Sequence, residues 1–372
     1  MTQTPVKVRG AVLEECGRSQ PFETSRPISI SELDLDPPGY GEVRVQIEVA
    51  GLCHSDLSVV NGSRIRPTPL LLGHEASGVV RELGSGTTKV SLGDRVVLTF
   101  LPRCGECRAC SAGTVAPCEL GSVSNNAGTL LSGERRLHRD GQMVNHHLGV
   151  SAFATEAVVS EKSVVRVDSD IPADIAALLG CAVLTGGGAV KNAGEFRPED
   201  TLAIVGLGGV GMAALLVGLA MGAKGVVVVD SQKEKLELAL ELGASQAFLP
   251  EELPSELTVD LVVEAAGNAR AFEAALGLTG PGGKLVTVGL PDPGDRASIS
   301  PLSLVATGKS IIGSYLGSSD PEKDIPFYLE LWKHELLPLE KLVSAEIELD
   351  AVNAAMDALH SGQAIRQIIR FI

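Results

Sequence analysis

The sequence predicts an α/β protein of two domains, one mainly of β-strands and one built on a doubly wound parallel sheet. Up to about residue 170, short apolar and polar alternations recur between Gly- and Pro-rich turns, the period-two signature of half-buried antiparallel strands. From residue 172 the pattern changes to apolar helical segments alternating with short Val-, Ile- and Leu-rich runs, as in strands joined by crossover helices. Between two of those elements lies Gly206-Leu207-Gly208-Gly209-Val210-Gly211, a glycine turn that joins a buried strand to a helix.

In the first part, residues 6–13 and 43–49 alternate strictly, and strand-like runs follow at 73–84 and 93–98. Residues 121–149 are irregular and polar, with Arg135, Arg136, His138, Arg139, His146 and His147; this run reads as a solvated loop rather than as a contact for an anionic cofactor. Residues 171–179 form a helix with Pro near its start, ending at Gly180-Cys181, and residues 182–193 a second helix. Strands are expected at 200–205, 225–229, 260–264 and 283–289, with helices after Gly211 and over 269–278. The tail reads as a strand over 342–349, a helix over 350–361 and a strand over 367–372. Such a tail returns to the first domain, which makes the second an insertion. The expected domains are 1–182 with 321–372, and 183–320.

A chain of 372 residues that is 44% hydrophobic and carries 42 glycines suffices for two domains and is too apolar for disorder. Its net charge of −15, with no basic run, argues against nucleic acid or an anionic membrane as partner. The N-terminal residues lack a signal-peptide pattern, and no uninterrupted apolar stretch is long enough to span a bilayer. A cytoplasmic protein is expected.

The seven cysteines, an odd number in a long chain, point to metal binding or catalysis rather than disulfides. Cys104, Cys107, Cys110 and Cys118 lie close enough in sequence for four thiolates to close a tetrahedron around zinc, a structural staple for a lobe at about 100–120. Cys16 lies in a turn and is assigned no role. Cys53, His74 and Glu75 set a thiolate, an imidazole and a carboxylate beside an apolar strand, a donor set suited to a reactive zinc that keeps one position open and takes another ligand from far along the chain.

The glycine turn is followed by a second buried strand ending at Asp230, nineteen positions past Gly211. A pyrophosphate approaches such a turn where unpaired N–H groups of the helix terminus face it. Asp230 would accept hydrogen bonds from the adenosine ribose hydroxyls and repel a 2′-phosphate, so NAD is favoured over NADP, with Lys233 and Lys235 nearby acting in the opposite direction.

Over essentially its whole length the chain resembles the zinc-dependent medium-chain alcohol dehydrogenases. The resemblance is carried by Cys53-His54-Ser55-Asp56, Gly73-His74-Glu75 with Gly78 and Gly84, Gly93-Asp94, the four-cysteine cluster, Gly180-Cys181, the 206–211 turn, Asp230, and Ser361-Gly362 with Arg366. It implies a GroES-like catalytic domain and a Rossmann cofactor domain, two zinc ions per chain and a homodimer. Cys53, His74 and Cys181 would hold the catalytic zinc, with Glu75 behind them and Asp56 orienting the imidazole. Ser55 would carry the substrate proton. Thr185 would lie under the nicotinamide, His54 and Arg366 would face the pyrophosphate, and Gly206, Gly208, Gly209, Val210, Gly211, Asp230 and Lys235 would complete the NAD site. Phe100 would line the substrate channel.

One departure is Ser58, where many members carry the histidine that ends the proton relay. A small Ser55 suits a primary alcohol or aldehyde, aromatic ones included. A thiol-adduct formaldehyde dehydrogenase, a nicotinoprotein that retains its NAD, and a non-catalytic NAD-binding sensor stay open as alternatives. The 121–149 segment resembles that of dimeric members, and Ile311-Ile312-Gly313 could pair across a dimer axis as an edge strand.

Overall fold

A computed structural model describes residues 4–113 and 116–371; Met1 to Gln3, part of the N-terminal reading, and Ile372, the end of the last expected strand, lie outside the described residues. The chain divides into two compact units, one running to Cys181 and resuming at Val343, the other from Ala182 to Leu342. The second includes the helix Pro321–Lys333.

In the first unit, Val6–Leu13 pairs antiparallel with Ile28–Leu35 from Val6 opposite Leu35 to Leu13 opposite Ile28. With Leu137–Arg139, Gln142–His146 and Leu70–Leu71 these strands close a small barrel. The alternation places Val8, Val12, Leu33 and Leu35 inward, packed with Leu71, Leu137 and Val144, each contributing roughly 1.5–3 kcal/mol by burial. A second sheet has the order Val164–Val167, Arg95–Leu98, Glu75–Leu83, Glu42–Gly51, Gln367–Arg370, Ala345–Ile347, with Glu156–Ser160 also paired to Glu42–Gly51. The C-terminal strand sets Ile368 opposite Gly51, so the tail joins the sheet from which the Cys53 segment emerges.

The second unit holds six parallel strands in the order Gln246–Phe248, Val226–Val229, Leu202–Val205, Val259–Glu264, Thr279–Thr287, Ser310–Gly313. The three central strands are almost wholly buried, which is why they read as continuous apolar runs rather than alternations. Strand order reverses at Leu202–Val205, the place where such sheets receive ligands. The helix Ala269–Leu278 falls where the sequence places it.

Two expectations are corrected. Residues 121–149 are not a solvated loop: Glu119–Ala127 is helical, two barrel strands follow, and His146 and His147 are 1% and 2% exposed. Three of the charges that suggested solvation are paired with residues about 100 or more positions away. Arg136 Nε lies 2.8 Å from Glu42, Arg139 grips Glu14, and His138 Nε2 lies 2.8 Å from Asp36.

The other correction concerns the two expected helices, which are one, Ala173–Ala193, long and apolar enough to cross a membrane by length and composition; 89% of its most apolar window is buried in the protein. Gly180, which read as the end of the first helix, serves close packing, as does Gly186 within the second. A Cβ on Gly180 would lie 2.3 Å from the Leu98 carbonyl oxygen, and one on Gly186 would lie 2.1 Å from that of Val210. Two π-helical turns, Leu179–Val183 and Ala189–Ala193, interrupt the α geometry.

Candidate active site and structural metal site

Cys53 is the extended residue that opens the helix His54–Val60. Its backbone N–H donates to Asp56 Oδ2 at 3.2 Å, an acid at the third helical position closing back on the helix start. The other oxygen, Oδ1, lies 3.1 Å from His74 Nδ1 and accepts from Gly73 N at 3.2 Å. One carboxylate thus ties the Cys53 turn to the His74 turn. Gly73 is required there: its φ is +92°, and a Cβ would meet the Phe153 backbone nitrogen at 2.4 Å.

Cys181 arrives from the first π turn. One donor atom each from Cys53, His74 and Cys181 lies within 4.8 Å of the others, and the residues are 7%, 0% and 4% exposed. His74 Nε2 is buried without a hydrogen-bond partner in the structure. Two sulfurs and an orphaned imidazole nitrogen form a donor set that fits zinc, with room in the coordination shell for a further ligand.

The hydrogen bond from Cys181, with the charges of Arg366 and His74, holds the Cys53 thiol well below its usual range; Cys181, facing that sulfur and buried, is pushed up. Burial opposes ionisation of Asp56, yet the imidazoles of His74 and His147 hold its carboxyl down to about 2.

Glu75 lies directly behind. It opposes Gly51 across the sheet, where a Cβ would come within 2.2 Å of its Oε1. Arg366 Nη1, beside the C-terminal strand, is 3.5 Å from Glu75 Oε2 and donates to the Leu52 carbonyl at 2.8 Å. The geometry therefore brings Arg366 to the back of the Cys53, His74 and Cys181 cluster. Phe100 is 5% exposed and packs edge-on to His74 with ring centroids 5.3 Å apart. Ser55 is half-buried, and its carbonyl accepts from Ser58 Oγ at 3.0 Å. His54 is exposed.

The sequence reading missed His147 as part of this cluster. Its Nε2 lies 3.2 Å from Asp56 Oδ1, and its ring is edge-on to His74 at 5.7 Å. The available signal was the apolar Val144, Leu148 and Val150 around it, which mark burial and hence a need for a polar neighbour.

The four sulfurs of Cys104, Cys107, Cys110 and Cys118 also converge within 4.8 Å. Backbone N–H groups point at them: Cys107 N to Cys104 Sγ, Cys104 N to Cys118 Sγ, and Gly121 N to Cys118 Sγ, each 3.3 Å. The N–H groups of Cys110 and Glu119 bring the Cys107 thiol down to about 6. Thiolates with amide donors and no open position fit a structural zinc. Thr114 and Val115 in this lobe lie outside the described residues.

In the second unit, Gly206 has φ +92° and a Cβ on Gly211 would lie 1.7 Å from the Gly206 oxygen, so helix Gly209–Ala220 starts hard against the turn. Space beside Gly208 is open. Val210 is half-buried in the first turn of that helix. Asp230 accepts from Leu207 N at 2.6 Å and Gln232 N at 2.9 Å, which fixes its carboxylate at the mouth of the turn. Lys235 lies in the helix Lys233–Glu241 and Thr185 in Leu184–Gly188.

Comparison with known proteins agrees with this arrangement. Residues 39–169 match the alcohol dehydrogenase GroES-like domain and residues 209–332 the zinc-binding dehydrogenase domain. A Mycobacterium tuberculosis protein named "Putative alcohol dehydrogenase D" is 39% identical over 359 residues, 94% of this chain and 97% of its own. An alcohol dehydrogenase zinc-binding domain protein from Burkholderia ambifaria superposes with a TM-score of 0.92 at 31% identity, covering 99% and 100% of the two chains. Benzyl alcohol dehydrogenase from Acinetobacter calcoaceticus superposes with a TM-score of 0.90 at 30% identity and the same coverage. The chain, with its two clustered thiol sites, its GroES-like β unit and its six-stranded Rossmann-type sheet, belongs to the zinc-binding medium-chain alcohol dehydrogenase family.

Proposed function

We propose that this zinc-dependent alcohol dehydrogenase transfers hydride between a primary alcohol, aromatic ones included, and NAD, with two zinc ions per chain. The observation that carries the reading is the convergence of Cys53, His74 and Cys181 around the unsatisfied His74 Nε2. Zinc held there supplies a Lewis acid for the substrate oxygen, and the nicotinamide supplies the hydride acceptor. The chain's own residues do the rest. Asp56 keeps the His74 proton on Nδ1 and leaves Nε2 as the donor. Glu75 and Arg366 place a charge pair behind the cluster. Phe100 shields the His74 edge from water. Ser55 offers the hydroxyl that takes the substrate proton outward.

Asp230 supports NAD, because its fixed carboxylate favours ribose hydroxyls and opposes a 2′-phosphate. The similarity to a benzyl alcohol dehydrogenase at 30% identity supports trying aromatic alcohols. A homodimer is supported by the edge strand Ser310–Gly313 and by the neighbouring helix Pro301–Thr307, whose Leu302 and Val305 are 78% and 84% exposed. The cysteines are all free thiols, which suits a reducing cytoplasm.

The test is NADH formation by zinc-replete protein from NAD⁺ with ethanol, benzyl alcohol, and formaldehyde with and without a low-molecular-weight thiol. Turnover of the simple alcohols is expected. Thiol-dependent turnover of formaldehyde alone overturns it in favour of an adduct enzyme.

A further inference from the structure

Asp56 Oδ1 faces three groups: His74 Nδ1 at 3.1 Å, Gly73 N at 3.2 Å and His147 Nε2 at 3.2 Å. We infer that His147 is a positioning residue for the catalytic metal, sharing the Asp56 carboxylate with the ligand His74 and so setting how firmly Cys53, His74 and Cys181 hold their ion. The inference rests on the reading of those three residues as a zinc site and extends it to a side chain outside the ligand set.

An ionised carboxylate only accepts hydrogen bonds, so the imidazole nitrogen facing it is the one that carries hydrogen. That favours the Nε2–H tautomer of His147; neither ring nitrogen completes a hydrogen bond in the structure, so the 3.2 Å approach of Nε2 to Asp56 Oδ1 acts as a charge–dipole contact rather than a hydrogen bond. The backbone that carries the ring is fixed. His147 N donates to Ser151 Oγ at 2.8 Å, and the turn that follows places Leu148 and Ser151 at φ +51° and +55°, a left-handed conformation that costs energy and persists where the surroundings impose it. Asp56, Cys53, His74 and His147 are all buried, so water does not replace a missing donor. Removing the His147 N–H takes an electropositive neighbour away from a buried carboxylate, and the tether that aligns His74 loosens with it.

The experiment compares His147→Gln, whose amide N–H reaches the Nε2 position, with His147→Met, similar in length and without a donor. Zinc retention is measured as equivalents per chain against a graded chelator, with the untouched four-cysteine site as internal reference. The visible spectrum of the cobalt-substituted site is recorded in parallel. The expected result is about tenfold weaker retention at the Cys53 site and a shifted cobalt spectrum in His147→Met, with both restored toward wild type in His147→Gln. Equal retention and identical spectra in the two variants overturn the inference, because packing alone then accounts for His147. Should His147→Met not fold, His147→Phe takes its place beside His147→Gln, with the same outcomes. A wild-type chain that holds zinc only at the four-cysteine site sinks the underlying zinc reading instead, so the two failures are distinguishable.

Discussion

Asp56 and His74 face each other at 3.1 Å with neither side chain exposed, and the same carboxylate caps the turn that presents Cys53. A single residue therefore orients one zinc-ligand candidate and anchors the other. Asp56→Asn keeps the shape but loses the charge that holds the His74 proton on Nδ1. The expected outcome is a 10- to 100-fold loss in kcat/KM together with reduced zinc content, while the four-cysteine site stays filled. Full zinc content and unchanged kcat/KM in a folded variant would remove Asp56 from the site.

On the proposed NAD reading, Asp230 carries the cofactor choice. It is pinned by Leu207 N and Gln232 N, so its charge cannot swing away from a 2′-phosphate. Asp230→Ala should raise the NADP-to-NAD ratio of kcat/KM at least tenfold, chiefly through loss of activity with NAD; charged hydrogen bonds of this kind contribute about 1.5–3 kcal/mol each. An unchanged ratio would mean that another group sets the preference.

The parallel sheet and the glycine turn were legible because their signals are local: Leu202–Val205, the 206–211 turn and Asp230 follow one another within thirty residues. The four-cysteine lobe was legible for the same reason. What stayed hidden depends on distant partners. Arg136 and Arg139 read as solvated until Glu42 and Glu14 are seen beside them, and His147 gains a role only when the barrel folds it onto Asp56. The helix Ala173–Ala193 was split in the sequence because Gly180 resembles a breaker, while Gly186 to Gly188 sat inside the second expected helix. Their purpose is to admit a neighbouring backbone, which propensity does not encode.

The lobe should depend on its metal. Cys110 is half-buried, and burial pushes its thiol up to about 12, so without a cation the cluster would keep protons that zinc must displace. Cys110→Ser should lose one zinc equivalent per chain, lower the melting temperature, and expose the lobe to proteolysis while leaving metal at Cys53, His74 and Cys181. Retention of both equivalents would show that three sulfurs suffice.

Ser58 replaces the histidine expected at the end of a proton relay, and its hydroxyl is turned onto the Ser55 carbonyl. Serine does not hold a proton at neutral pH, so in the proposed relay buffer or water would accept what Ser55 releases. Turnover of the wild type should rise with buffer concentration when chemistry limits the rate, and Ser58→His should flatten that dependence. The absence of any buffer effect in both proteins would count against a relay ending at this position.

Acid sensitivity should trace in part to His146. Burial, with the charges of Arg135 and Arg136, brings its pKa from 6.5 down to about 3, and its Nε2 accepts the Arg136 backbone N–H at 3.0 Å, which requires the neutral ring. Below pH 6.5 the unfolded chain binds a proton there that the folded chain does not bind until about pH 3. Folding stability is therefore lost as pH falls through that window, at up to about 1.4 kcal/mol per pH unit from this group alone. His146→Gln keeps an acceptor near Nε2 and does not titrate, so it should be somewhat less stable than wild type at pH 7.5 and close or reverse the gap on acidification. Urea unfolding of both proteins at several pH values between 7.5 and 4.5 measures the gap. A gap that stays constant across the range would place the His146 titration outside the folding equilibrium.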